Sequence, residues 1–173
     1  MLLIKVGYFI NQPEGSRDRF DVEENFVFQA QDEVTVKGPV KTSVHLTKLP
    51  HEISVHLEDL ETVLEAQCNR CLMTFEHQLH IPSVERQFII DDDKHKIGED
   101  EDVFYVNTAR NEIDLKDMIR EEILLHFPEF PLCSESCKGL CSTCGANMNS
   151  APCKHRTTSP PAPWQNIQFP KKR

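Results

Sequence analysis

Cysteine is the residue type on which chemistry could be built in this chain, which holds seven of them. Cys133, Cys137, Cys141 and Cys144 fall in one stretch, PLCSESCKGLCSTCG, at spacings C-x3-C-x3-C-x2-C. Cys68 and Cys71 form a second pair, CNRC, more than sixty residues upstream, and Cys153-Lys154-His155 follows behind the first stretch. A C-x2-C turn puts two thiolates on one side of a tight loop, within reach of one ion. Two such contributions complete a tetrahedron with Zn–S distances of about 2.3 Å. Zinc(II) suits this set because it is borderline soft and imposes no geometry of its own. The alternative, that these are small buried hydrophobes, fits a single cysteine better than a cluster set among Ser, Lys, Asn and Gly. Gly145, directly after Cys144, suits the positive φ that a metal-binding turn requires.

The eight candidate ligands, Cys68, Cys71, Cys133, Cys137, Cys141, Cys144, Cys153 and His155, can be divided in two ways. In the first, Cys68, Cys71, Cys133 and Cys137 hold one zinc ion, and Cys141, Cys144, Cys153 and His155 hold another. That division leaves no cysteine idle. In the second, CNRC pairs with Cys141 and Cys144 around a single ion, as in a zinc ribbon. Either way the site is closed, with no position for water, and is therefore structural rather than catalytic. An iron–sulfur cluster would use the same ligands.

Nothing else in the sequence suggests an enzyme or a small-molecule substrate. There is no nucleophile elbow and no H-E-x-x-H. His45, His51, His56, His77 and His80 fall in strand-like stretches, as surface or half-buried histidines do. CNRC could act as a redox pair, with Arg70 lowering a thiol pKa. Redox C-x-x-C motifs, however, open a helix after a strand, whereas this one lies between two strands.

The elements that must position these ligands read as an α+β fold. The start, MLLIKVGYFI, reads as a first strand, and residues 11–33 as irregular and acidic. From Val34 apolar residues alternate: Val34 and Val36, then Val40, Thr42, Val44 and Leu46, then Ile53, Val55 and Leu57. A further strand over 60–67 runs into CNRC. Beyond it Phe75, His77, Leu79 and Ile81 share one side, Pro82 allows a bend, and a strand continues from Val84 to Ile90. This is the pattern of an antiparallel sheet with one buried face. The acid-rich run 91–102 reads as a solvated loop, and 103–106 returns to strand character. Asp114 opens a helix over 114–127, with Asp117 adding charge at its positive end. Leu115, Met118, Ile119 and Ile123 share a face, and Pro128 ends the helix. The chain thus divides into a sheet body with one packing helix (1–130), a cysteine-rich zinc knuckle (131–156) packed against the CNRC turn, and a Pro-rich basic tail (157–173). Trp164, Ile167 and Phe169 form a short apolar series in that tail.

Composition sets the context. The 173 residues suit one domain plus an appendage. No stretch approaches the ~18 apolar residues of a membrane span, and no signal-peptide cleavage site follows the apolar start. The expected location is the cytoplasm, where thiols stay reduced and clustered cysteines mean metal rather than disulfides. The odd cysteine count also argues against complete pairing. The net charge of −9 hides a division. Residues 1–129 hold 13 basic and 27 acidic residues, a net of −14, whereas 130–173 hold 6 basic residues and only Glu135, a net of +5. Nucleic acid would be repelled by the body and attracted by the end, so a protein partner is at least as compatible.

Three segments in this order carry a family resemblance: A-Q-C-N-R-C-L at 66–72, I-D-L-K-D-M-I-R-E-E-I-L-L at 113–125, and P-L-C-S-E-S-C-K-G-L-C-S-T-C-G-A-N-M-N at 131–149. Together they resemble the YceD-like family of large ribosomal RNA subunit accumulation proteins. The resemblance is firm from about 60 to 155 and loose before. It implies a bacterial or bacterial-derived factor needed for normal accumulation of large-subunit (23S) ribosomal RNA, with ribosomal RNA or ribosome assembly proteins as partners. Where the resemblance leads one to expect C-x-C at 153–155, His155 takes the second position. The proline-rich end also departs from the family's usual tail. The alternative function is a zinc-binding adaptor acting only on protein, in transcription or RNA turnover.

Overall fold

A computed structural model describes residues 2–25, 34–90, 104–150 and 153–155. In chain order the elements are β1 (Leu3–Lys5), α1 (Gly7–Ile10), β2 (Arg17–Asn25), β3 (Thr35–Val36), β4 (Pro39–Leu49), β5 (Glu52–Gln67), β6 (Thr74–Ile89), β7 (Phe104–Tyr105), β8 (Glu112–Asp114) and α2 (Lys116–His126). The acidic run 91–102 and the tail 157–173 lie outside the described residues.

The main sheet runs in the order β2-β4-β5-β6-β7, with β3 also paired to β5. The β2–β4, β4–β5 and β5–β6 pairings are antiparallel, as alternation predicts, but β7 joins β6 in parallel. β1 and β8 form a separate antiparallel pair. The inward face of β4 is the expected one: Val40, Thr42, Val44 and Leu46 are all buried. Ile53, Val55 and Leu57 are buried on β5, and Leu79 and Ile81 on β6.

Four expectations are corrected. The apolar start is a strand only over Leu3–Lys5; the chain then coils into the short helix α1, whose Phe9 enters the core. Residues 17–25 are not irregular but form β2, pairing with β4 from Arg17↔Thr47 to Asn25↔Pro39. Its charged residues hid it, because an edge strand need bury only alternate positions, here Phe20 and Val22. Residues 53–57 and 60–67 are one strand, β5, because Asp59 adopts a left-handed φ of 51° that bulges the chain without ending it. Pro82 likewise does not break β6. It lies opposite Asp59, and the β5–β6 ladder, from Glu52↔Ile89 to Gln67↔Thr74, skips this one pair and resumes in the same register. On its other side β6 is covered by β7 only at Phe88 and Ile89, so the missing N–H breaks no ladder there. Both strands change inward parity at this point, from Leu57 to Leu60 and from Ile81 to Val84.

The helix begins later than expected, at Lys116. Asp114 still serves its start: its Oδ1 accepts the Lys116 N–H at 3.0 Å from the end of β8. Leu115, Met118, Ile119 and Ile123 are fully buried against the sheet. The helix stops at Phe127, which is extended (φ −68°, ψ 131°) as the residue before Pro128 must be. Arg86 of β6 donates to the buried Glu122 carboxylate of α2, tying helix to sheet. The chain then leaves α2 alongside the β5–β6 turn, where Asn69 N–H donates to Pro131 O at 2.9 Å. That places Cys133 against CNRC.

Candidate metal centre

The two C-x2-C turns are built alike. In CNRC the Leu72 N–H donates to Cys68 O at 2.9 Å, and the Cys68 N–H to Met73 O at 2.9 Å. In the later turn the Gly145 N–H donates to Cys141 O at 2.8 Å, and the Cys141 N–H to Ala146 O at 2.8 Å. The residue after the second cysteine has positive φ in both, 58° at Leu72 and 70° at Gly145. Leucine at that position gives no sequence hint of the left-handed turn, which glycine does.

The eight expected donors converge in two groups of four. The ligand atoms of Cys68, Cys71, Cys133 and Cys137 lie within 4.8 Å of one another, and so do those of Cys141, Cys144, Cys153 and His155. The ribbon division, with CNRC facing Cys141 and Cys144, is not the one the chain adopts. In the first group Cys68 Sγ lies 3.8 Å from Cys137 Sγ, and Cys71 Sγ 3.7 Å from Cys133 Sγ. Four sulfurs about 2.3 Å from a common centre are about 3.8 Å apart along a tetrahedral edge, and these two edges match that spacing. The second group is tighter. Cys153 Sγ lies 3.4 Å from Cys144 Sγ, 3.5 Å from Cys141 Sγ and 2.9 Å from His155 Nδ1. An ion would spread its sulfurs by a few tenths of an ångström, and the Cys153–His155 edge by roughly twice that. All seven cysteines are free thiols.

The surroundings split the thiols into lowered and raised ones. Burial works against ionisation of Cys68, but backbone amides of Cys133, Cys71 and Arg70 donate to its sulfur and hold the thiol at about 6. Backbone amides of Cys144 and Thr143 hold Cys141 at about 6. The Cys137 sulfur beside Cys133, together with burial, pushes Cys133 up to about 12. In the first group Cys68 and Cys137 are lowered while Cys71 and Cys133 are raised, and in the second Cys141 is lowered while Cys153 is raised; a cation would replace the protons that the raised thiols keep.

Arg70 has a different role from the one its position suggested. Its guanidinium donates to Glu135 O and Cys137 O, each at 3.2 Å, clamping the cysteine segment onto the CNRC turn. Gly139 passes so close that a Cβ there would lie 3.0 Å from Arg70 O. Neither contact was legible from spacing. The strand histidines His45, His56, His77 and His80 belong to neither group. His45 pairs with Glu58 and His80 with Asp59, both at 3.1 Å, His56 rests against the His45 ring, and His77 packs edge-on between Phe75 and Phe127. Cys68, Cys71 and Cys137 form a small buried cluster with Phe75 and Leu132, apart from the main core.

The family described as large ribosomal RNA subunit accumulation protein YceD matches residues 58–168, from the middle of β5 through both cysteine groups. The chain belongs to the YceD family. Among its relatives is the maize (Zea mays) large ribosomal RNA subunit accumulation protein YCED homolog 1, chloroplastic, which is 37% identical over 70 residues, covering 39% of this chain and 24% of the maize protein. The Arabidopsis thaliana protein of the same description is 28% identical over 140 residues, covering 66% of this chain and 43% of its own length. The chain thus spans less than half the length of these YceD relatives. No solved structure matches. Both relatives are chloroplastic by name, and these comparisons show neither a bacterial nor a cytoplasmic setting for this chain. Among the described residues no helix is long and apolar enough to cross a membrane.

Proposed function

We propose that this YceD protein is a non-enzymatic factor supporting the accumulation of large-subunit ribosomal RNA, with two structural zinc ions completing its fold. The observation that carries the reading is the closure of all eight donors into two four-ligand groups, within the segment that matches the family. Each group spends its four positions on protein ligands and leaves none for a substrate. CNRC joins two strands, and both its sulfurs belong to a four-sulfur group, which speaks against a thiol redox pair. The working compartment is one that holds ribosomes and keeps thiols reduced, the bacterial cytoplasm or its organellar equivalent. The basic segment from 130 onward contacts ribosomal RNA or an assembly protein.

Elemental analysis of freshly purified protein tests the metal half. Two equivalents of zinc are expected, with Cys68→Ser and Cys141→Ser each losing one; one equivalent lost by both variants, or iron with visible absorption, would overturn it. Cells lacking the protein test the biological half: their ratio of large- to small-subunit ribosomal RNA falls and wild type restores it, whereas an unchanged ratio sinks the reading. The acidic body favours one second reading, an adaptor acting on protein alone. Salt-sensitive binding to a ribosomal RNA fragment, lost on removal of 130–173, selects the first reading, and no RNA binding at low salt selects the second.

A further inference from the structure

The N-x-N of the Asn147-Met148-Asn149 segment is neither a ligand nor part of a helix or strand. It lies in the loop between Cys144 and Cys153, so its path is set by the second cysteine group. Its side chains nevertheless reach the first group. Asn149 Nδ2 donates to Cys137 Sγ at 3.2 Å. The orientation of that amide is fixed, because Asn149 Oδ1 accepts the Lys138 N–H at 2.8 Å and a backbone N–H can only donate. Asn147 Oδ1 in turn accepts the Asn149 N–H at 2.9 Å, and Asn147 Nδ2 lies 2.8 Å from Met73 Sδ, beside CNRC. The loop is pinned to the knuckle by Met148 N–H to Gly139 O at 2.9 Å.

We propose that Asn149 couples the two metal sites, so that filling the Cys141–Cys144–Cys153–His155 group raises the metal affinity of the Cys68–Cys71–Cys133–Cys137 group. An N–H donor on a thiolate stabilises its charge, and Asn149 Nδ2 is placed as such a donor to Cys137 Sγ. A bound ion in the second group orders the loop that carries Asn149, so the first group no longer bears the entropy of ordering its donor. Coupling of this kind is reciprocal: metal in the first group raises the affinity of the second by the same factor. Asn149 is a positioning residue and touches no ion. The inference rests on the metal reading proposed above.

The test is a cobalt(II) titration of reduced, metal-stripped full chain against a competing chelator, read by thiolate-to-cobalt charge-transfer absorption. In Cys141→Ser, first-group affinity falls by about tenfold, within the usual range of coupling between sites. Asn149→Ala gives a similar fall with the second group still filled, and shifts the charge-transfer band at saturation because Cys137 has lost its donor. Asn149→Asp, which keeps the acceptor for Lys138 N–H and so preserves the loop, lowers affinity further. In the Cys141→Ser, Asn149→Ala double variant the losses do not add. Unchanged first-group affinity in Cys141→Ser, or strictly additive losses in the double variant, overturns the coupling while leaving two metal sites. Absence of any charge-transfer band in the wild type would instead overturn the metal reading, and the coupling with it.

Discussion

At residue scale, three positions of left-handed backbone around the metal centre differ in what surrounds them. Gly139 has φ 71° and no room: a Cβ would meet Arg70 O at 3.0 Å, and that carbonyl is held in the CNRC turn. Gly145 has φ 70° with nothing within 4 Å. Leu72 already bears a side chain at φ 58°, and that side chain is exposed. Gly139→Ala therefore costs both the left-handed strain of an L-residue and the separation of the knuckle from CNRC, about 3 kcal/mol. Gly145→Ala costs the strain alone, about 1 kcal/mol, and Leu72→Gly is close to neutral because relief of strain offsets the added freedom of the unfolded chain. Thermal melts of the zinc-loaded protein should rank the variants in that order. A Gly139→Ala melt no lower than that of Gly145→Ala would show that the two halves of the centre do not press on each other. Gly145 announced its turn in the sequence. Gly139 did not, because its need comes from a carbonyl almost seventy residues away.

At the scale of elements, the sequence exposed what repeats locally and hid what is settled between distant segments. β4 and the inner face of α2 were readable, since Val40–Leu46 alternate and Leu115, Met118, Ile119 and Ile123 recur at helical spacing, and all are buried. β2 was not, because an edge strand with charges on its open side has too few apolar residues to show a period. Nor was the continuity of β5 and β6 past Asp59 and Pro82, where each residue alone signals an end and only the ladder resuming in the same register beyond them keeps both strands going. The helix-to-sheet tie was equally hidden: Arg86 and Glu122 are 36 positions apart. Glu122 has 7% side-chain exposure and Arg86 36%, so removing the carboxylate strands a half-buried guanidinium. Glu122→Ala should lower stability by about 2–3 kcal/mol, below the cost of breaking a fully buried pair because water reaches the arginine. Arg86→Met with Glu122→Leu should recover most of that loss. A double variant as unstable as Glu122→Ala would mean that the pair contributes more than neutralisation.

At the scale of the whole molecule, two separate interiors share one chain. The larger joins apolar residues from Leu2 to Ile123, and the smaller consists of Cys68, Cys71 and Cys137 with Phe75 and Leu132. The first needs no ion, since its apolar residues bury one another. The second is too small to hold the segment from Pro131 to His155 by hydrophobic burial alone, whereas structural zinc supplies apparent binding energies on the order of 10 kcal/mol. Chelation should therefore act on one interior and spare the other. Stripped of metal under reducing conditions, the protein should keep the far-ultraviolet signal of its sheet while the cysteine segment comes loose. Lys138, exposed but with its backbone N–H held by Asn149, reports the change. Trypsin should cut there many times faster after chelation, and at Arg70 once its grip on Glu135 O and Cys137 O is lost, with zinc restoring protection at both. If chelation instead melts the sheet together with the knuckle, the ions are part of the body's folding nucleus. The β5–β6 hairpin, which CNRC closes, would then need metal to form, and the two interiors would be one cooperative unit.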